Sequence, residues 1–310
     1  MVQYILRRLV RTIPVLFGVS VLVFSMLHFL PGDPATLMLS ETSATSKEAV
    51  DRLREQLGLN DPLYVQYWRF LRSALTLDMG ESIQTHREVT SMILEVFPST
   101  LALTFSATAL SVLIGVPLGI AAAIRPHSWI DKLSMALAYF AVSVPIFWLG
   151  LMLILFFSVR LGLVPITSQE GSGRLLLPAF SLAFGASAII ARLVRSNLLE
   201  TMQQEFVTTA RSKGLSEQRI VIGHALRNAL IPTVTMVGLQ FGSLLGGAVV
   251  VETVFARQGI GRMAVNAILR KDYPLVQATV LFAAVSYVAV NILVDVSYAW
   301  LDPRIKHGRA

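Results

Sequence analysis

The chain has 310 residues, 54% hydrophobic and only 15% charged, with a net charge of +7 and no cysteine. Soluble domains carry about 25% charged residues, so this composition belongs to a bilayer-embedded chain. Disulfides, thiol nucleophiles and cysteine-based metal sites are excluded. The histidines His28, His86, His127, His224 and His307 fall in no ligand pattern, and the positive charge fits basic cytoplasmic loops better than nucleic acid.

A span needs about 20 apolar residues to cross roughly 30 Å of hydrocarbon. Six segments qualify: 12–30, 99–124, 133–159, 175–191, 229–251 and 275–301. The first follows Arg7, Arg8 and Arg11 but is too long for a signal-peptide core and precedes no A-x-A pattern, so it reads as a retained anchor. The fourth is the shortest. Pro14, Pro117, Pro145, Pro178 and Pro232 lie inside spans, where neighbouring helices satisfy the freed backbone groups. Gly115 and Gly119 form a small-xxx-small pair, and Gly238, Gly242 and Gly246 repeat it. Such residues let helices approach closely, within one bundle or, for the fifth span, against a second membrane chain.

Lys and Arg set the orientation. With the N-terminus inside, the inner segments hold 14 basic residues: Arg7, Arg8, Arg11, Arg125, Lys132, Arg192, Arg195, Arg211, Lys213, Arg219, Arg227, Arg304, Lys306 and Arg309. The two short outer loops hold 6: Arg160, Arg174, Arg257, Arg262, Arg270 and Lys271. Both ends are therefore expected in the cytoplasm.

The outer segment 31–98 is organised. Gly32-Asp33-Pro34 marks a turn. Residues 47–57 read as an amphipathic helix with Val50, Leu53 and Leu57 on one face, and Leu59-Asn60-Asp61-Pro62 marks another turn. Residues 63–75 form a helix whose Tyr64, Tyr67, Trp68 and Phe70 serve as interfacial anchors or as the core of a small cap. On the inner side, 196–212 reads as a helix with Leu199, Met202, Phe206 and Ala210 at helical spacing. Gly214 ends it, and Ser216 is placed to cap a second helix over 217–228. By pattern alone this helix pair docks into a partner's groove or lies on the membrane surface. No Gly-Lys dipeptide occurs, so the chain has no Walker A loop.

The run Glu205-Phe206-Val207-Thr208-Thr209-Ala210-Arg211-Ser212-Lys213-Gly214-Leu215 resembles the cytoplasmic coupling loop of bacterial ABC importer permeases. His224-Ala225-Leu226-Arg227-Asn228-Ala229-Leu230-Ile231-Pro232 narrows the resemblance to the peptide and nickel branch. Leu30-Pro31-Gly32-Asp33-Pro34, Leu57-Gly58-Leu59-Asn60-Asp61-Pro62-Leu63-Tyr64, Val294-Asp295 and Leu301-Asp302-Pro303-Arg304 do the same. The chain is most similar to the first permease of the dipeptide, oligopeptide, glutathione and nickel importers, the dipeptide permease B type.

The resemblance implies an all-α membrane protein of six transmembrane helices, not an enzyme, in the bacterial inner membrane. Residues 1–30 would be the basic flank and first helix, 31–98 the extracytoplasmic helical segment, and 99–310 the permease core with its coupling loop at 196–228. Implied partners are a homologous second permease, two ATPases carrying ATP and Mg, an extracytoplasmic substrate-binding protein and membrane lipid. The cargo implied is di- or oligopeptides, with glutathione or a nickel chelate as alternatives. Glu205, Thr209, Ala210, Arg211, Lys213, Gly214 and Leu215 would meet the ATPase, and Glu252, Phe255, Gly259 and Gly261 would belong to the outer gate. Two stretches depart from the family pattern: Thr208-Thr209-Ala210 keeps only the last alanine of Glu-Ala-Ala, with Glu205 three residues upstream of the usual acid, and Gln258-Gly259-Ile260-Gly261 replaces Pro-Gly-x-Gly.

Asp295 is an acid inside a span, a functional candidate by position. Pairing with a basic residue of the inner loops is the expected role. The alternative class is a stand-alone secondary carrier, which would show two repeats with matching broken helices; no such duplication is visible. A membrane enzyme would rest on Asp295 and His28, which lie in different spans.

Overall fold

The computed structural model describes residues 2–29, 36, 47–56, 58–164 and 173–301. Among them there is no strand, only one bridge between Glu81 and Glu88. The helices are α1 (Val2–Phe29), α2 (Lys47–Gln56), α3 (Leu63–Thr76), α4 (Val89–Ile124), α5 (Trp129–Ser143), α6 (Ile146–Leu153), α7 (Gly173–Thr201), α8 (Glu205–Ser212), α9 (Glu217–Ile220), α10 (Leu226–Val254), α11 (Ile260–Leu269) and α12 (Tyr273–Leu301). Five helices are long and apolar enough to cross a membrane, or six if one bent pair counts as a span.

The bent pair replaces the straight third span expected over 133–159. α5 and α6, with the wide turn Ile154–Arg160 that extends α6, meet at 102°. The cause is Pro145. Its ring pushes the preceding residue out of the helical region, and Val144 stands at φ −79°, ψ 123°. The last helical bond of α5 runs from Val144 N–H to the Phe140 carbonyl (3.1 Å), and the first of α6 from Leu149 N–H to the Pro145 carbonyl (3.1 Å).

Other boundaries also moved. α4 starts at Val89 rather than 99 and runs through Pro98. The short fourth segment is part of the 29-residue α7, whose span is the most enclosed of the five, two thirds buried. Short apolar length here reflects burial in protein, because a helix flanked by helices needs fewer lipid-facing side chains. The turn at 32–34 and Leu57 lie outside the described residues. Gly58 turns the chain with φ +63° ahead of Pro62, and Asp61 N–H bonds its carbonyl (3.2 Å).

The chain divides into two compact units. The first holds residues 1–98 and 258–292. Its core joins Val89 and Ile93 of α4 to Ile260 and Ala267 of α11 and to Leu275 and Ala278 of α12, with Phe97 edge-on to Phe282 at 5.0 Å. The second holds residues 99–257 and the end of the chain from 293. Leu103 and Ala107 of α4, Leu182 and Ala183 of α7, and Leu244, Ala248 and Val251 of α10 form its main core.

Gly115 and Gly119 set the distance between α4 and α7. A Cβ at Gly115 would stand 2.5 Å from the Ser187 carbonyl oxygen, and one at Gly119 would stand 2.6 Å from that of Ala191. Backbone is a neighbour that cannot swing away, so only glycine fits. A Cβ at Gly246 meets nothing within 4 Å. α10 is tied to α7 by Gln240 Nε2 to the Ala186 carbonyl and Asn197 Nδ2 to the Ala229 carbonyl, both 3.3 Å.

A buried ion pair joins α5 to α7. Arg195 Nε and Nη2 donate to the two oxygens of Asp131 at 2.5 and 2.7 Å, and His127 N–H donates to Asp131 at 2.9 Å. Ser128 caps α5 by accepting from Asp131 N–H at 3.3 Å. Arg192, one turn earlier, lies 5.4 Å from the Tyr139 ring centre.

Three stability predictions rest on these contacts, all read as thermal unfolding in detergent. Gly119→Ala should lower the melting temperature because the helices must separate. Gly246→Ala should be neutral or stabilise by about 0.5–1 kcal/mol, since it removes helical glycine entropy without a clash. Asp131→Ala should cost about 1–3 kcal/mol by leaving the half-buried Arg195 without its carboxylate, and adding Arg195→Met should recover most of the loss.

Candidate functional site

The residues expected to form a coupling loop fold into one small, closed unit. α7 does not continue to Ser212. It ends at Thr201, whose Oγ1 donates to the Asn197 carbonyl at 2.7 Å. A tight turn follows, with Gln203 N–H bonded to Glu200 and Gln204 N–H to Thr201. α8 begins at Glu205, where an acid suits the positive end of the helix. The apolar spacing across 198–210 therefore serves two clusters: Leu198 packs with Val221, Ala225 and Ala229, whereas Val207 and Ala210 pack with Ile220. Met202 touches both.

Gly214 closes the loop. It sits at φ +77° with open space where a Cβ would be, so its requirement is backbone conformation alone. Gly214 N–H bonds the Arg211 carbonyl (2.9 Å) and Leu215 N–H the Ala210 carbonyl (3.3 Å). This is the double bond of a Schellman end, with Leu215 completing its hydrophobic contact onto the Ala210 cluster.

Ser216 occupies the N-cap position of α9, but its side chain makes no cap bond; its carbonyl accepts from Arg219 and Ile220 N–H instead. Nor is there a separate helix ending at 228. α9 passes through a wide turn at Val221–Ala225 directly into α10, giving one 38-residue element from Glu217 to Val254. The widened turn, with Gly223 in it, shifts the facing of the helix between the Ile220 cluster and the Val221, Ala225 and Ala229 cluster.

The loop has an inner and an outer face. Val207, Ala210 and Ile220 are buried, and Phe206 and Leu215 are half-buried. Ala210 thus faces its own chain, where its small size lets α8 and α9 meet. Glu205, Thr208, Thr209, Arg211, Ser212, Lys213 and Gly214 are exposed. Thr209 Oγ1 and Ser212 Oγ bond back to the carbonyls of Glu205 and Thr208, both at 3.1 Å. Arg211 makes a two-pronged pair with Glu217 across the glycine turn, Nε–Oε1 2.6 Å and Nη2–Oε2 3.1 Å. Hydrogen bonding to the Glu217 carboxylate raises the Arg211 pKa further above its ordinary value, so the bracket stays charged. Glu217 was not among the expected site residues. Its signal was position, six residues after Arg211 with the glycine between them.

The four residues assigned to an outer gate fall in two units. In the second unit, Glu252 is fully buried and accepts from Thr100 Oγ1 at 2.6 Å. Phe255 ends α10 and packs on the main core beside Gly150. In the first unit, Gly259 precedes α11 in extended conformation and Gly261 is buried in its first turn. The side chain of Asp295 lies outside those described.

Sequence reasoning also missed another buried acid. Asp272 precedes α12 and accepts from Ser82 Oγ at 2.5 Å and from Ile83 N–H at 3.2 Å. It lines a cleft of about 340 Å³ in the first unit together with Arg87, Glu95, Arg262 and Arg270. An acid just before Pro274 was visible, but its partner lies 190 residues away.

Residues 115–307 match the family described as the inner membrane component of binding-protein-dependent transport systems, and residues 1–104 match its N-terminal part. The chain belongs to this permease family. It is 41% identical over 307 residues to the glutathione transport system permease protein GsiC of Escherichia coli K12, covering 99% of this chain and 100% of that one. The Salmonella paratyphi A protein of the same name is 42% identical over the same coverage. Among solved structures, the inward-facing MetNI methionine ABC transporter aligns with a TM-score of 0.55 at 22% identity, over 68% of this chain and 94% of that one. An amino acid ABC transporter gives 0.54 at 18%, over 69% and 94%. The permease fold is thus shared well beyond recognisable sequence identity. This chain is the membrane-spanning permease of an ABC importer, a multi-pass protein of the bacterial inner membrane.

The loop geometry predicts a graded mutant series. Gly214→Asn should be tolerated, because asparagine accepts φ > 0. Gly214→Ala should cost about 1–2 kcal/mol of loop order, and Gly214→Pro more, since it also removes the N–H given to Arg211. Hydrogen exchange of residues 205–220 in detergent would report this order; equal protection in all three would remove the turn's role.

Proposed function

We propose that this permease pairs with a homologous second permease and carries short peptides, glutathione-like tripeptides among them, from a substrate-binding protein into the cytoplasm. Two ATPase subunits holding ATP and Mg drive the cycle, and this chain itself performs no catalysis. Full-length identity of 41% to a glutathione permease carries the reading. The distribution of Lys and Arg supports cytoplasmic ends and, with them, a loop 205–217 on the ATPase side.

The loop is suited to transmit force. Its inner face is packed, its turn is bonded twice, and Arg211 and Glu217 bracket it. The exposed Glu205, Thr209 and Lys213 form the surface offered to the ATPase groove. A push on α8 reaches α9 through the bonded Gly214 turn and from there α10, since α9 and α10 form one uninterrupted element, and it reaches α7 through a three-residue turn. ATP shifts the permease only through its better binding to one ATPase arrangement, and a stiff loop passes that difference on.

The lack of cysteine makes the test direct. Thr209→Cys, isolated with its complex in mild detergent, should cross-link through a short bifunctional reagent to a chain bearing a Walker A motif, and the yield should change when ATP is added. A cross-link only to lipid or to no other chain would overturn the coupling role. Competition of peptides and glutathione for uptake by the reconstituted complex would decide the cargo; uptake of neither would overturn the peptide assignment.

A further inference from the structure

α3 carries an apolar arc that the described residues of its own chain cover only on one side. At about 100° per residue, Tyr67, Phe70 and Ala74 lie on one edge. Tyr64, Trp68, Leu71 and Leu75 form the adjoining edge, and Gln66, Arg69, Arg72, Ser73 and Thr76 occupy the opposite side. The first edge rests on α1. Tyr67 stands edge-on to Phe17 and Phe24, with ring centres 6.2 and 5.4 Å apart, Phe70 is 6.0 Å from Phe24, and Tyr67 Oη shares a 2.8 Å hydrogen bond with the buried Ser20 Oγ. The polar side is tied to the turn before the helix: Gln66 Nε2 donates to the carbonyls of Leu59 and Asp61, and Arg69 pairs with Asp61 at 2.6 Å. Among the described residues the second edge is left largely open, with only Leu71 half-buried. Tyr64, Trp68 and Leu75 are 75%, 64% and 77% exposed.

Position decides what covers that edge. Phe17, Ser20 and Phe24 lie inside the apolar window Arg7–Met26 of α1, so α3 rests on a transmembrane surface and not beyond its end. The same helix leaves Phe17, Val21 and Leu22 exposed, and in a membrane those side chains face lipid. The uncovered edge of α3 thus continues a lipid-facing surface. Its residues are those favoured at the headgroup level, Trp and Tyr with Arg alongside, and a helix with one apolar and one basic polar side lies in the plane of the interface.

We propose that α3 is an interfacial helix, with Tyr64, Trp68 and Leu75 embedded at the headgroup–acyl boundary and Arg72 reaching the headgroups. It braces α1 from within the leaflet. This follows from the membrane location alone and does not depend on cargo or coupling.

Trp68→Cys, the single cysteine in the chain, labelled with a nitroxide and held in the complete transporter in phosphatidylcholine–phosphatidylglycerol vesicles, tests it. Collision with oxygen should exceed collision with a water-soluble nickel chelate severalfold, at a depth near the carbonyl level of the lipid. Strong access to the nickel chelate would place the helix in water, and low access to both would mean that protein covers the edge; either result overturns the proposal. Quenching of Trp68 fluorescence by brominated lipids, in a chain whose Trp129, Trp148 and Trp300 are replaced by Phe, gives the same reading without a label. Its loss should accompany any loss in the first experiment.

Discussion

In hydrocarbon a backbone carbonyl has no water to bond, so a chain that enters the bilayer must satisfy itself or lean on a neighbour. That constraint explains why the helices run unbroken through most of the apolar segments that mark them, and several also extend beyond those segments. α4 gains nearly three turns before its apolar run, α7 runs ten residues past the end of its own, and α10 is entered without a stop from α9. The chain breaks at Pro145, where a donor is missing and the preceding residue is forced out of the helix. Close approach then replaces hydrophobic force between helices. The Gly115 and Gly119 contact with α7 and the amide links from Asn197 and Gln240 make α7 the enclosed axis on which the second unit is built.

Among the described residues, three buried acids each have a specific partner. Asp131 takes Arg195 in a two-pronged pair, Asp272 takes Ser82 and a backbone N–H, and Glu252 takes Thr100. A buried acid without donors is costly, so these contacts fix helix registers that apolar packing leaves free to slide. Asp131 holds the start of α5, Asp272 the start of α12, and Glu252 the end of α10. Each thus pins a place where a membrane helix enters or leaves a turn.

At the loop 205–217 the same economy of contacts makes a compact body on the surface. Under the proposed coupling role its stiffness matters more than any single side chain. Gly214 supplies the left-handed residue and Leu215 the apolar plug, while Arg211 and Glu217 bridge the two helices in the open, where such a pair is worth little as stability but restricts the angle. The buried Ala210 shows why a small residue belongs there: a larger one would hold α8 away from Ile220.

Composition and hydropathy by themselves determined that the chain spans a membrane, because the length of an apolar run is a direct measure of bilayer thickness. Local chemistry determined the helix read over 63–75 and the stop at Gly214, because propensity, proline and a left-handed glycine act within a few residues; the turn at 202–204 that divides the helix read over 196–212 was not legible there. The coupling-loop pattern likewise pointed to the permease family. What only the tertiary structure decided are facts about neighbours. These include the 102° bend at Pro145, the identity of α7 as the enclosed helix, the inward facing of Ala210, and the partners of Asp131, Asp272 and Glu252. A proline tolerated in one helix breaks another according to what stands ready to bond the freed groups. A buried charge, too, is defined by a residue up to 190 positions away, which no local pattern encodes.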